Sequence, residues 1–304
     1  MTLPRRAVLA ALALAAVSAS PAFAQTTITI QHPLPSASHY GAGAAALKES
    51  FERATGGRYR INVQRNDNER EIIESVQIGT VECYIGSTGP VGNFVPAVRV
   101  VDVPFLFRDY AHARGLVGVI WMENGFRHLT NSRHAVNNPA DVRGLKVRTM
   151  ENPVHMRAFS TLGALPTPMA FSELVPALQQ GTVDGQENPI PVIVANNLNQ
   201  VQRYLTLTGH VYSPAALIIS PAVWGKLSAA DKAAFTEAAK KGAAAQRKKV
   251  NDDENSGIAQ LEKEGMQVVK QVNGESFRKA VAPAYAAFAK EFGADKIAAI
   301  QAVK

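Results

Sequence analysis

The 304-residue sequence contains a single cysteine, Cys83. It cannot close an internal disulfide, so packing has to hold the fold, and Cys83 reads as a small buried hydrophobe. There is no C-x-x-C. The seven histidines (His32, His39, His112, His128, His134, His155 and His210) do not recur at spacings that build a metal site. No metal and no cofactor is expected. A G-x-S-x-G elbow, an H-E-x-x-H helix and a Walker lysine loop are missing too, so the common catalytic constellations are excluded. After residue 24 nothing is apolar for the roughly 20 residues a membrane-spanning helix needs.

The N-terminus has its own character. Arg5 and Arg6 form a short positive region, Ala7 to Val17 is an uncharged Ala, Leu and Val stretch, and Ala22-Phe23-Ala24 is an A-x-A cleavage signal before Gln25. We read residues 1–24 as a signal peptide cut after Ala24, which predicts a soluble periplasmic protein. The Arg5-Arg6 pair loosely resembles a twin-arginine signal, although the general secretory route is the expected one. About 280 residues remain, enough for two domains at roughly 100–200 residues each. The formal charge of +7 falls when Arg5 and Arg6 leave. The remaining excess is spread out, and its densest run, Arg247-Lys248-Lys249, sits beside Asp252, Asp253 and Glu254 as on a solvated helix face. Nucleic acid is not an expected partner, whereas a mildly positive surface helps attract small anions.

Strands and helices alternate, which predicts α/β architecture. Strands are expected at Thr27–Gln31, Tyr59–Gln64, Val81–Ile85, Leu145–Thr149, Val183–Glu187 and Ala215–Ser220. Helices are expected at Ser38–Ala54, at Glu69–Ile78, after the Asn152 cap with Pro153 at its first position, and from Ser172 to Gly181. Asn124-Gly125, between Val117–Glu123 and Phe126–Asn131, carries the strongest short hairpin signal. From Ser228 a helical pattern continues to about Glu264, with a break expected near Ser256-Gly257, and further helices fit Ser276–Phe292 and the last ten residues.

Gly41-Ala42-Gly43-Ala44-Ala45-Ala46 fits the G-x-G-x-x-A dinucleotide fingerprint. That fingerprint has to begin where a strand ends, so that the pyrophosphate meets a helix N-terminus. Here His32 to Gly41 intervenes and the helix starts earlier, so the small residues read as a close helix contact. An exported enzyme is the weaker alternative.

Arginine offers a better lead, because its planar fork makes two parallel charged hydrogen bonds to a carboxylate. Arg148 ends the strand Leu145–Thr149, and ligands of open α/β sheets collect at carboxyl strand ends. Arg127 begins a strand just past the expected hairpin.

Several runs then match one family. Gly125-Phe126-Arg127-His128-Leu129-Thr130-Asn131-Ser132, Pro139 to Arg148, Pro166 to Glu173 and Val183-Asp184-Gly185-Gln186-Glu187-Asn188-Pro189 resemble the solute-binding proteins of tripartite ATP-independent periplasmic (TRAP) transporters. Pro104-Phe105-Leu106-Phe107 and Thr55-Gly56-Gly57 match as well. The likeness spans essentially the whole chain after residue 24. It implies two α/β domains of periplasmic-binding-protein type, closing over a ligand and bridged by a long helix, with delivery to a membrane permease and no enzymatic activity. On that pattern domain I comprises 25–123 with a return at 213–255, and domain II comprises 124–212 with 256–304. The resemblance implies Arg148 as the principal carboxylate clamp, Arg127 as a second contact, Phe171 as a wall and Asn188 as a hydrogen-bonding group.

His32, Tyr40, Glu69, Ser87 and Thr88 occupy first-domain positions able to read the far end of the ligand, and Arg70 or Arg127 would suit a second carboxylate. Three departures stand out. The family's helix after His112-Ala113-Arg114 is expected to be lost, because Gly115-Leu116-Val117 follows at once. Asn66-Asp67-Asn68-Glu69-Arg70 replaces a glycine-containing turn. Gly86-Ser87-Thr88-Gly89-Pro90 lacks the charged residues of sialic-acid binders, which disfavours that ligand. The expected ligand is a small carboxylate (a sugar acid, a hydroxy acid or a C4-dicarboxylate), bound by a monomer that serves a permease or, alternatively, a sensor.

Overall fold

The computed structural model describes residues 25–116 and 121–303. The expected signal peptide therefore lies outside the described residues. Strand β1 (Thr26–His32) buries Ile28, Ile30 and His32 on one face by simple alternation. It pairs in parallel with β2 (Tyr59–Arg65) and β3 (Cys83–Ser87). Parallel neighbours need crossovers, here α1 (His39–Ala54) and α2 (Glu69–Ile78). Ser38 caps the first and Asn68 the second, each side-chain oxygen accepting a backbone N–H. A short helix, α3 (Thr88–Val91), follows β3 directly, and a 3-10 turn at Pro96–Asp102 leads on to α4 (Tyr110–Leu116). Arg114 itself lies in this helix, and the loss of a helix expected after it falls partly on residues outside the description. Residues 117–120 lie outside the description.

Strand β4 (Trp121–Asn131) corrects the hairpin expectation. Glu123 lies opposite Pro214 and Gly125 opposite Ser213, so Asn124 is the extra residue of a β-bulge within one strand. A hairpin needs the two flanking runs to pair with each other; here both pair with β8 (Tyr204–Ile219), once β5 (Lys146–Thr149), α5 (Pro153–Thr161), β6 (Leu165–Pro168), α6 (Phe171–Gln179), β7 (Gly185–Pro189) and α7 (Ile190–Ala195) have intervened. Gly125, at φ +120°, supplies the backbone freedom the bulge requires. Helix α6 starts one residue before the expected Ser172 cap, because the Glu173 carboxylate accepts from the Ala170 N–H instead.

The sheet order is β2-β1-β3-β8-β4-β7-β5-β6, with β9 (Gln267–Val269) on the side of β8. Two parallel sets, β2-β1-β3 and β7-β5-β6, are thereby joined through the antiparallel pair β8 and β4. After α8 (Pro221–Lys226), the 35-residue helix α9 (Ala229–Lys263) runs without interruption, about 50 Å at 1.5 Å per residue. Its Phe235, Ala238, Ala239 and Ala243 share a core with Leu47 and Phe51 of α1, while Leu261 joins Leu174 and Leu178 of α6. This is the expected bridging helix. The break expected at Gly257 is absent because that glycine serves contact: a Cβ there would stand 2.6 Å from Ile190 Cγ2. Gly43 of α1 has the same use against α9, where a Cβ would lie 3.2 Å from the Gly242 carbonyl. The G-x-G-x-x-A run is a helix crossing. Helices α10 (Gly274–Phe292) and α11 (Ala294–Ala302) complete the fold, packing Val281, Ala284, Phe288 and Ile297 with Val103, Leu106, Phe107 and Ala113.

Candidate functional site

Both parallel sets point their carboxyl ends at one cavity. Pro33 and Leu34 follow β1, Ser87 ends β3, Glu69 opens α2, Arg148 and Met150 stand at the end of β5, and Asn188 lies at the end of β7. The bulged β4 contributes Asn124 and Arg127, and Tyr40, Phe171 and Val192 complete the lining. A crevice at carboxyl strand ends is where open α/β sheets hold ligands.

Two guanidiniums dominate one side. Arg148 is 2 % exposed. Its Nε and Nη2 donate to the Met169 carbonyl at 3.1 and 2.8 Å, and Nη1 has no partner among the described residues. The guanidinium carbon stands 5.9 Å from the centroid of the Phe171 ring. Burial lowers the Arg148 pKa to about 10, with Glu187 opposing that shift and Arg127 adding to it. The side chain is still cationic at neutral pH.

Arg127 is fully buried and its Nε and Nη2 donate to the two carboxylate oxygens of Glu187, the second at 2.8 Å. Nη2 also reaches Asn188 Oδ1 at 3.1 Å, whereas Nη1 has no partner among the described residues. Burial alone would raise the Glu187 pKa. The Arg127 charge, with His155 and a hydrogen bond from His210, overrides it and holds the carboxyl well below its ordinary range. An unpaired buried N–H costs roughly 1–3 kcal/mol, more on a charged group. Both arginines line the same crevice.

The opposite side is polar. Glu69 Oε1 accepts from Tyr84 Oη at 2.6 Å, and burial raises the Glu69 pKa against that bond and the pull of Arg148. Ser87 Oγ lies 3.0 Å from Ser213 Oγ, which accepts from Asn124 Nδ2 at 3.4 Å. Asn124 Oδ1 therefore faces His39 Nε2 at 3.0 Å and accepts from it; burial lowers the His39 pKa to about 3, so the ring is neutral. Tyr40 brings its phenol to the same cavity.

Of the residues singled out in the sequence, Arg148, Arg127, Asn188, Phe171, Tyr40, Glu69 and Ser87 line this cavity together. His32 and Thr88 are not in its lining. His32 is buried with its ring 6.3 Å from that of Tyr40, behind the wall. Thr88 donates to Asp102 Oδ1 at 2.9 Å, and Asp102 Oδ2 accepts from Asn152 Nδ2 at 2.8 Å, so Thr88 supports the cavity without lining it. Arg70 pairs with Glu74 on the surface, its side chain 67 % exposed. Sequence reasoning missed Asn124, whose Asn-Gly signal indicated a turn, and the apolar walls Leu34, Met150 and Val192, which carry no motif.

The class that this arrangement defines is a two-domain α/β binding protein whose cleft is lined by two buried guanidiniums. The family profile DctP, bacterial extracellular solute-binding protein, family 7, matches residues 30–291. A solute-binding protein of Verminephrobacter eiseniae is 47% identical over 90% of this chain and 88% of its own. A TRAP periplasmic solute-binding protein from Polaromonas sp. JS666, bound to D-erythronate, is 57% identical, covers 92% of this chain and 99% of its own, and superposes with a TM-score of 0.90. A sugar-acid-binding protein from Advenella mimigardefordensis in complex with galactonate is 30% identical, with coverages of 91% and 97% and a TM-score of 0.87. The chain belongs to the TRAP solute-binding protein family. Its members are binding components of transport and work with TRAP membrane permeases, not as enzymes.

Proposed function

We propose that this protein captures a short-chain hydroxy acid, with D-erythronate as the leading candidate, through Arg148 and Arg127 and delivers it to a TRAP permease. The observation that carries this reading is the pair of buried, unpartnered Nη1 atoms in one small cavity. Arg148 would fork one carboxylate, Arg127 and Asn188 would hold its second oxygen or the adjacent hydroxyl, and Phe171 would exclude water. Tyr40, Glu69, Ser87 and Asn124 would read the remaining hydroxyls, which suits alternating donors and acceptors. His32 and Thr88 would act from behind the wall.

Charge favours one carboxylate over two. Glu187 already balances one guanidinium, so a single ligand anion answers the other; a second carboxylate beside Glu69 would be buried without a partner. A C4-dicarboxylate is therefore the less favoured of the expected ligands.

We further propose export to the periplasm with cleavage after Ala24, and a monomer whose two domains hinge where Glu123–Gly125 of β4 meets Ser213–Pro214 of β8. The division 25–123 with 213–255 against 124–212 with 256–304 is supported by that bulge. A thermal-shift screen of organic acids tests the function, since a ligand of the folded state raises the Tm. Erythronate and its close relatives should give the largest shifts. A screen in which only dicarboxylates stabilise the protein would contradict the proposal.

A further inference from the structure

We propose that Met150 sets the upper size of the acid this site accepts, resting on the reading of the cavity as a carboxylate site. Three observations carry it. Met150 is buried, lines the cavity two residues after Arg148, and stands at the carboxyl end of β5. Its side chain crosses the cleft: Ser87 Oγ donates weakly to its Sδ at 3.7 Å, and it lies so close on Gly89 that a Cβ there would be 2.6 Å from Sδ. Its backbone is pinned, because the Asn152 N–H donates to the Met150 carbonyl and the Asn152 side chain is tied through Asp102 to Thr88.

A flexible thioether would ordinarily move aside for a longer ligand. Here the glycine at 89 and the hydroxyl of Ser87 hold it, while the Thr88–Asp102–Asn152 chain fixes its base. Each added hydroxymethylene unit is bulkier than a water molecule, whose share of the liquid is roughly 30 Å³. Met150 and Arg148 line the same cavity, so a chain extending from a carboxylate on Arg148 has its length limited where the Met150 side chain stands. A six-carbon acid would need the space that the Met150 side chain fills. The galactonate-holding relative demonstrates that the fold itself tolerates such a ligand, so the limit has to lie in the lining.

The test is calorimetric titration of the wild type, Met150→Ala and Met150→Leu with D-erythronate and D-galactonate, the Tm of each variant being measured alongside. One methylene in a pocket changes affinity by roughly 10–200-fold; on that scale the wild type should prefer erythronate by at least about tenfold. Met150→Ala should cut the preference at least about tenfold, chiefly by gaining galactonate, and the volume-conserving Met150→Leu should keep it. If the alanine variant does not fold, Met150→Val reads the same ratio. An unchanged ratio in a folded Met150→Ala overturns the proposal, as does a wild type that binds both acids equally, and either result leaves the carboxylate reading standing. A wild type that binds neither acid overturns both.

Discussion

Arg127, which lines one cavity with Arg148, commits its Nε and Nη2 to Glu187, and its Nη1 has no partner among the described residues. The pairing fixes the guanidinium plane and halves the positive charge of the two arginines, which on the proposed function leaves one charge for a single carboxylate.

Removing Glu187 should therefore affect both fold and binding. A buried pair broken on one side costs roughly 3–5 kcal/mol, so Glu187→Ala should lower the Tm sharply and weaken any acid that binds. Chemical denaturation with and without erythronate checks this. A variant of wild-type stability would show that Arg127 is held by other means.

Glu254 supplies a pH prediction. Its carboxyl is pushed up to about 7 by burial, with Glu123 and Asp253 adding to the shift and the hydrogen bond from Tyr110 opposing it. Between roughly pH 4.3, where an unfolded glutamate loses its proton, and pH 7 the native state retains a proton that the unfolded state has released. Stability contributed at this site thus falls as pH rises through that window. Glu254→Gln should be about 1–3 kcal/mol more stable than wild type at pH 8 and closer to it at pH 5. A stability difference that does not change with pH would contradict the assignment.

The contact between α1 and α9 sets packing against propensity. Alanine in a helix is favoured over glycine by about 1 kcal/mol. A Cβ at Gly242 would stand 2.8 Å from the Gly43 carbonyl, and overpacking of that kind costs roughly 1–3 kcal/mol. Gly242→Ala should lower the Tm despite its better propensity, and thermal denaturation reads the sign.

The start of α9 should be sensitive as well. Ser228 Oγ accepts from the Asp231 N–H at 3.1 Å, and Asp231 pairs with Arg58 at 2.6 Å. Ser228→Ala should cost about 1 kcal/mol, measured by urea denaturation.

Much of this was legible in the sequence, for reasons that differ by element. Helices α1 and α2 were marked by Ser38, Asn68 and Gly79, because caps act within a few residues of the backbone they satisfy. The parallel strands showed as short apolar runs, and Arg148 stood out at the end of one. What failed was non-local. Asn124-Gly125 reads as a turn until β8, some 90 residues later, pairs with both sides of it. Within β8 itself, Gly209 and Pro214 mask the alternation of one long strand. Gly257 promised a break in α9, and only its approach to Ile190 explains its presence. In the site, the charged and aromatic members were visible by chemistry and by family resemblance. Met150, Leu34 and Val192 were not, since an apolar wall has no signature until the chain brings it to a cavity.

The most direct test of the central claim is calorimetric titration of the chain from residue 25 with D-erythronate, run in parallel on Arg148→Ala. The carboxylate-clamp account predicts saturable binding at one site in the wild type. It predicts that the variant stays folded and loses roughly 2–5 kcal/mol of affinity, the cost of truncating one partner of a buried charge pair. Binding of equal strength in a folded Arg148→Ala would contradict it.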